Sequence, residues 1–249
     1  MGKIIKINNA LNDLSLSIDE WSFCAVLGPS GSGKTTLARI LIGLEDANGN
    51  VKIEGTEKDI VCLFENPNNQ LYTDTVKEEI LYAANSAGLS IDKFEKKIVK
   101  LNELIPISKL LDKDINSLSS GEKQLIVLIS GLFQFPKILI MDEALSMIDS
   151  KLKEKVYKLL SMYNKNGMTI INITSNVEDC MNGDSVIVLN NKTVAFQGKL
   201  KEALKSDRIF VDNGIKAPFV TELTSKLKYY KVVKRVHYNV HSLAGELWT

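Results

Sequence analysis

The chain has 249 residues, 45% of them hydrophobic, and a formal net charge of +1, which suits one large α/β domain with or without an appendage and excludes a strongly basic nucleic-acid binder. Lysine is abundant but arginine occurs only at Arg39, Arg208 and Arg235, so no arginine-rich surface is on offer for reading bases or phosphate backbones. No run approaches the roughly 20 uninterrupted apolar residues of a membrane span; the longest candidate, residues 125–135, is broken by Ser130, Gly131 and Gln134.

The N-terminal residues Met1-Gly2-Lys3-Ile4-Ile5-Lys6 have neither the apolar run nor the cleavage site of a secretion signal, and Lys6 stands where a myristoylation site wants Ser or Thr. A cytoplasmic location is expected. Short β-like runs at 3–7, 14–18 and 23–27 come first. The third runs into Gly28-Pro29-Ser30-Gly31-Ser32-Gly33-Lys34-Thr35, which fits G-x-x-x-x-G-K-[ST], and residues from Thr36 onward have helical spacing. A strand turning into a helix through glycines is the context that a phosphate-binding loop needs. Gly28, Gly31 and Gly33 can take backbone angles closed to other residues, so successive N–H groups curl around phosphates at the positive end of a helix. Lys34 would bridge the β- and γ-phosphates of a nucleotide, and Thr35 would ligate Mg²⁺.

Strand candidates at 51–53 and 60–64 follow, then a helical stretch from 75 to about 111 with apolar stripes Val76, Ile80, Leu81, Ala84 and Phe94, Ile98, Leu101, Leu104. This reads as a helical insertion. Apolar runs at 137–141, 168–174 and 185–189 suit strands buried on both faces, with a Lys-rich helix at 151–163 between the first two. Strands alternating with helices argue for an α/β fold with a parallel sheet. Cys24, Cys62 and Cys180 are scattered among apolar neighbours and read as buried small hydrophobes, not as a metal set or disulfide framework. From Asp207 the tail carries Gly214 and Pro218, a helical stretch at 220–227, and an alternation at Tyr230, Val232, Val233, Val236 and Tyr238. It reads as a small add-on domain.

The run 138–143 ends a buried strand in Asp142 and Glu143, where an α/β nucleotide site places its second element. Asp142 would hold Mg²⁺ through water, and Glu143 would orient and deprotonate an attacking water. Two adjacent acids are ordinarily a solvated loop; the phosphate loop upstream favours the functional reading. Between the two motifs lies Leu118-Ser119-Ser120-Gly121-Glu122-Lys123-Gln124, which opens a helix with Ser119 and Glu122 at capping-box spacing.

The order of these motifs resembles the ATPase subunits of ATP-binding-cassette proteins, over the chain from its first strands to about Gln197. The stretch Phe64-Glu65-Asn66-Pro67-Asn68-Asn69-Gln70-Leu71 and the tail element Gly214 to Leu223 are similar to segments of the energy-coupling-factor branch, which serves cobalt and vitamin transport. The resemblance implies an ATP-binding domain with a mixed-sheet core at 1–206, a helical subdomain at about 72–118 and a C-terminal domain at 207–249. It implies ATP and Mg²⁺ as cofactors, bound by residues 28–36 including Thr36. It also implies a signature, Ser119, Ser120, Gly121 and Glu122, that serves the γ-phosphate of a second ATPase subunit in trans. A helix N-terminus with a free serine hydroxyl and exposed N–H groups suits that anion-binding role. The implied partners are a second ATPase subunit, in a hetero- or homodimer that Asp149 would help to contact, a transmembrane coupling subunit and a substrate-binding membrane subunit, on the inner face of the cell membrane.

The chain departs from that family at two catalytic positions. Glu65 stands where the family has a Gln that contacts Mg²⁺ and the attacking water, adding a negative charge beside an anionic triphosphate. Ser175 stands where the family has a His that donates to the γ-phosphate. Losing one preorganised donor costs about 10²–10³ in rate, so slow hydrolysis at this chain's own loop is expected, with Asn176 or a water as the fallback donor. Ala144 for Pro, Leu125 for Arg, and Ser120 and Glu122 in the signature are lesser departures. No aromatic near residues 8–12 offers itself to adenine, and Trp21 reads as a packing residue. The expected function is the degenerate half of an asymmetric ATPase pair in an importer; the alternatives are a soluble nucleotide switch or an ATP-binding pseudo-ATPase.

Overall fold

A computed structural model describes residues 2–10, 14–47 and 49–248, so residues 11 and 12 of the stretch examined for an adenine-stacking aromatic lie outside it. The chain forms two compact units, residues 1–54 with 171–249 and residues 55–170. In the first, β1 (Lys3–Ala10) pairs antiparallel with β2 (Leu14–Asp19) and with β4 (Asn50–Ile53), giving the order β2-β1-β4. Ile5 and Ile7 of β1 and Leu14, Leu16 and Ile18 of β2 are buried while Lys6 and Ser15 face outward. That is the period-2 alternation of a half-buried sheet. β3 (Phe23–Leu27) is buried at all five residues and lies between β7 (Thr169–Thr174) and β8 (Ser185–Asn190), the latter parallel to it with Leu27 opposite Val188. β9 (Thr193–Lys199) adds antiparallel to β8, so this sheet is mixed. The helix after β3, α1 (Lys34–Leu41), buries Leu37, Ala38, Ile40 and Leu41.

The second unit is built on β5 (Ile60–Leu63) and β6 (Ile138–Asp142), parallel with Leu63 opposite Met141. Around them are α2 (Val76–Ser86), α3 (Ile91–Asn102), α4 (Ser120–Phe133) and α5 (Ser150–Lys165). Thr75 and Glu78 make a capping box at the start of α2, and Asp149 caps α5 by accepting from Lys151 and Leu152 N–H. The α3 amine of Lys97 donates to Leu132 O at the C-terminal end of α4 and sits 4.2 Å and 3.9 Å from the ring centres of Phe133 and Phe135. Burial lowers its pKa to about 8.

Back in the first unit, α6 (Val177–Cys180), α7 (Leu200–Ala203) and α8 (Arg208–Val211) follow the strands, and the chain closes with α9 (Phe219–Tyr229) and α10 (Val240–Leu247). Phe210, Ile215 and Ala217 share one buried cluster with Ala25, Leu27, Val186 and Val188. The alternating residues 230–238 form no strand; they run through bends from α9 to α10, because Thr224 Oγ1 both accepts from His237 N–H and donates to its carbonyl, taking the groups a ladder would use. Trp21 is 55% exposed in a turn with φ 58°, so it is not a packing residue. Cys24 and Cys180 are buried as expected, whereas Cys62 is half-buried. Burial pushes the thiols of Cys62 and Cys180 up to about 12, which keeps them protonated and unreactive.

The tail has its own polar latch. Buried His237 meets Ser242 Oγ through Nδ1 (3.0 Å) and Glu246 Oε2 through Nε2 (2.6 Å), and Glu246 also accepts from Lys234 N–H. The Lys234 N–H foremost, and then His237, hold the Glu246 carboxyl below its usual value. A depressed folded-state pKa stabilises above the unfolded value, and that stability is lost as pH falls through the folded one. Glu246→Gln is therefore expected to lower Tm at pH 7 by more than at pH 3, with thermal melts at the two values as the check.

Candidate nucleotide site

In the first unit the phosphate loop is shaped by positions where a side chain cannot fit. A Cβ at Gly28 would lie 2.2 Å from Ser32 Oγ and 2.6 Å from Leu189 O. Gly31 and Gly33 have φ of 78° and 100°, a region that favours glycine. Gly33 is the N-cap of α1 and supplies no side-chain cap, which leaves the first N–H groups of the helix to an anion. Ser32 Oγ is buried and, among the described residues, has no hydrogen-bond partner. A buried hydroxyl in a cradle of backbone donors fits a phosphate chain. Lys34 is 9% exposed, and its Nζ donates to Gly28 O (2.7 Å) and Pro29 O (3.2 Å) across the loop. Ser30 and Thr35 are exposed and Thr36 half-buried.

A feature that sequence reading missed holds this loop from outside. Asn191 and Lys192, both at positive φ, make the tight turn from β8 to β9, and Lys192 N–H donates to Ser32 O at 3.1 Å. Two such residues between strands are the pattern of a type I′ hairpin turn, and Asn190-Asn191 was the signal available for it. Also in this unit, β7 delivers Ser175 to the surface, where it is exposed. Asn176 Oδ1 accepts from Glu178 N–H at 3.1 Å as the cap of α6, and Asn176 N–H donates to Thr174 Oγ1. The cap engages the Asn176 oxygen, and the donor function of the side chain resides in its Nδ2.

In the second unit the stretch 64–71 is folded by its own side chains. Gln70 Oε1 accepts from Phe64 N–H (2.7 Å), its Nε2 donates to Cys62 O (2.9 Å), and Asn66 Oδ1 accepts from Asn68 N–H (3.1 Å) ahead of buried Pro67. Those bonds give the Asn-Pro-x-x-Gln spacing its physical meaning: the bend is closed locally, and Glu65 stays exposed at its start.

The signature helix α4 begins in the expected capping box, with one correction. The Ser119 hydroxyl is not free: it donates to Glu122 Oε2 (2.9 Å) and accepts from Glu122 N–H (3.3 Å), while Glu122 also takes Ser119 N–H and lies 3.3 Å from Lys113 Nζ. The Ser119 N–H and hydroxyl, then Lys113, hold the Glu122 carboxyl below its usual value. A reciprocal box uses the hydroxyl that the capping residue would otherwise present outward. Gly121 is required where it stands, since a Cβ there would be 2.6 Å from Met147 O. At the end of β6, Asp142 is 3% exposed, and Glu143 is half-buried with φ 52°, a strained angle of the kind that re-aims a side chain at a functional strand end. Asp149 is engaged as the α5 cap.

In the first unit the Thr35 hydroxyl, and in the second the carboxylates of Asp142 and Glu65, are hard oxygen donors of the type Mg²⁺ prefers. Among the described residues no three acidic, His or Cys side chains cluster as a ready-made metal site.

A family profile described as ABC transporter matches residues 11–146. The chain is 30% identical over 97% of its length, and 88% of the relative's, to the energy-coupling factor transporter ATP-binding protein EcfA of Malacoplasma penetrans. It is 32% identical over 88% of its length, and 84% of the relative's, to EcfA1 of Mycoplasma mobile. Its fold matches the structure of cbiO1 from Clostridium perfringens, described as part of the ABC transporter complex cbiONQ, with a TM-score of 0.73 at 24% identity over 90% of this chain and all of that one. With a phosphate loop ending β3, a capped signature helix and an Asp-Glu pair ending β6, the chain belongs to the ATP-binding-cassette ATPases, among the ATP-binding proteins of energy-coupling factor transporters.

Proposed function

We propose that this chain is the low-turnover half of an asymmetric ATPase pair in an energy-coupling-factor importer for a vitamin or metal ion. The observation that carries the reading is the pair of exposed side chains Ser175 and Glu65 at the two positions where the family keeps His and Gln. Lys34, Thr35 and the backbone N–H groups of the 28–36 loop, Pro29 excepted, hold the ATP phosphates. Asp142 and Thr35, with Glu65 as a further oxygen, would hold Mg²⁺, whose charge would offset that of the phosphates. Glu143 orients water. Turnover is slow for want of the γ-phosphate donor, and the signature from Ser119 to Glu122 serves a partner ATPase whose own loop is intact.

No helix among the described residues is long and apolar enough to cross a membrane, so the coupling and substrate-binding subunits supply the membrane passage and this chain sits peripherally on its inner face. A groove of about 420 Å³ in the second unit, bordered by Tyr72, Tyr82, Ala83, Val127 and Gln134, is the surface we assign to the coupling subunit. The same reading takes residues 1–206 as the nucleotide-binding domain, with its helical subdomain at about 72–118, and 207–249 as the appendage. Purified alone, the chain should bind ATP and hydrolyse it slowly; with its partner ATPase and membrane subunits, turnover should appear. Robust hydrolysis by the chain alone that Glu143→Gln abolishes would overturn the asymmetric reading in favour of a self-sufficient homodimer.

A further inference from the structure

Gln124 is 2% exposed, and both ends of its amide are spent on loops that are far apart in sequence. Nε2 donates to Glu65 O at 2.9 Å, and Oε1 accepts from Met147 N–H at 2.9 Å. The neighbouring residues of α4 tighten the same junction. Lys123 Nζ donates to Asn68 Oδ1 at 2.8 Å, which grips the 64–71 bend. Gly121 lets Met147 O approach to a distance no side chain would allow. The first turns of α4 are therefore clamped between the Glu65 bend and the segment 146–149. An amide is the side chain that suits this place, because the bridge needs one donor for a carbonyl and one acceptor for an N–H. A buried hydrocarbon would orphan both backbone groups, and a carboxylate would orphan one.

We propose that Gln124 is a positioning residue that couples the Glu65 bend to the 146–149 segment, so that nucleotide at this chain's own loop is reported to the surface that meets the partner ATPase. This rests on the reading of Glu65 under Proposed function and on the partner contact that the family resemblance implies for Asp149. The arrangement transmits in both directions, since a coupling between two sites is reciprocal. It acts through two short hydrogen bonds and not through bulk repacking.

Hydrogen exchange on the full chain, read by mass spectrometry with and without MgATP, tests it. In the wild type, nucleotide should slow exchange both in 64–70 and in 146–149. In Gln124→Met, which keeps the shape and loses both bonds, the Met147 amide should exchange roughly tenfold faster without nucleotide. ATP should still bind within about twofold by equilibrium dialysis and still slow 64–70, while 146–149 no longer responds. A folded Gln124→Met chain in which 146–149 still responds overturns the proposal. Should that variant not fold, Gln124→Glu decides: it keeps the acceptor for Met147 N–H and loses the donor to Glu65, so basal exchange at Met147 stays near wild type and the nucleotide response there is lost, whereas a retained response overturns the coupling. If the wild-type chain binds ATP and 146–149 is silent, the coupling alone fails; if it binds no ATP, the nucleotide-site reading fails and takes the coupling with it.

Discussion

Installing His at position 175, as Ser175→His combined with Glu65→Gln, is expected to raise ATP hydrolysis by the purified chain about 10²-fold or more. The magnitude follows from restoring one preorganised donor to the charge that develops on the γ-phosphate, an effect of about 10²–10³ in rate. The Glu65 exchange adds to it by removing a negative charge beside the triphosphate. Both side chains are exposed, so the replacements should leave folding stability within about 0.5 kcal/mol. The bonds that shape each neighbourhood come from other atoms: Gln70 and Asn66 close the bend around Glu65, and Asn176 caps α6 beside Ser175. A steady-state phosphate-release assay at saturating MgATP reads the result. No gain in the double variant, with ATP binding intact, would mean that some other lost group limits the site.

The second large effect is expected in trans. Ser119→Ala in this chain should lower hydrolysis by the assembled pair at least 10²-fold while leaving ATP affinity at this chain's own loop within about twofold. Ser119 organises the N-terminus of α4 through its box with Glu122, and the proposed role of that N-terminus is to meet the partner's γ-phosphate with backbone N–H groups. Loss of the cap also costs about 1 kcal/mol, which for a chain of this size is a fall of about 2–4 °C in Tm. That small shift separates the catalytic effect from unfolding. Equal turnover of the pair with and without the Ser119 hydroxyl would sink the idea that the Ser119–Glu122 box organises the in-trans contact.

Much of the nucleotide site was legible in the chain because its chemistry is local in sequence. A phosphate loop is eight consecutive residues between a strand and a helix, and the positive φ that favours glycine at 31 and 33 is intrinsic to the loop, while Gly28 is also required by Leu189 O packed against it. The Ser119–Glu122 box is a three-residue spacing that closes on itself, and β6 ending in Asp142 and Glu143 is a single apolar run. The 64–71 motif belongs in part to the same class, since the bonds of Gln70 and Asn66 that close its bend run within ten residues.

The misreadings share the opposite character. The alternation at 230–238 was read only as part of an add-on domain, and what decided its path was Thr224 and Glu246, residues on either side that capture its backbone and His237. Trp21 was assigned to packing by its type, although a turn at positive φ turns it outward. The Ser119 hydroxyl was expected to be free because a one-dimensional motif names its residues without saying which of them bond to each other.

Sequence by itself determined that the chain is an α/β protein with a nucleotide loop, a capped signature helix and an acidic strand end, and that His and Gln are missing from two places where its family has them. Only the tertiary structure decided that Lys192 braces the phosphate loop, that the Asn176 oxygen caps α6, and that Gln124 joins Glu65 to Met147 across 59 and 23 residues of chain. The physical reason is that a hydrogen bond between distant segments leaves no periodicity and no spacing in the sequence. It exists only once β5, α4 and the end of β6 have packed.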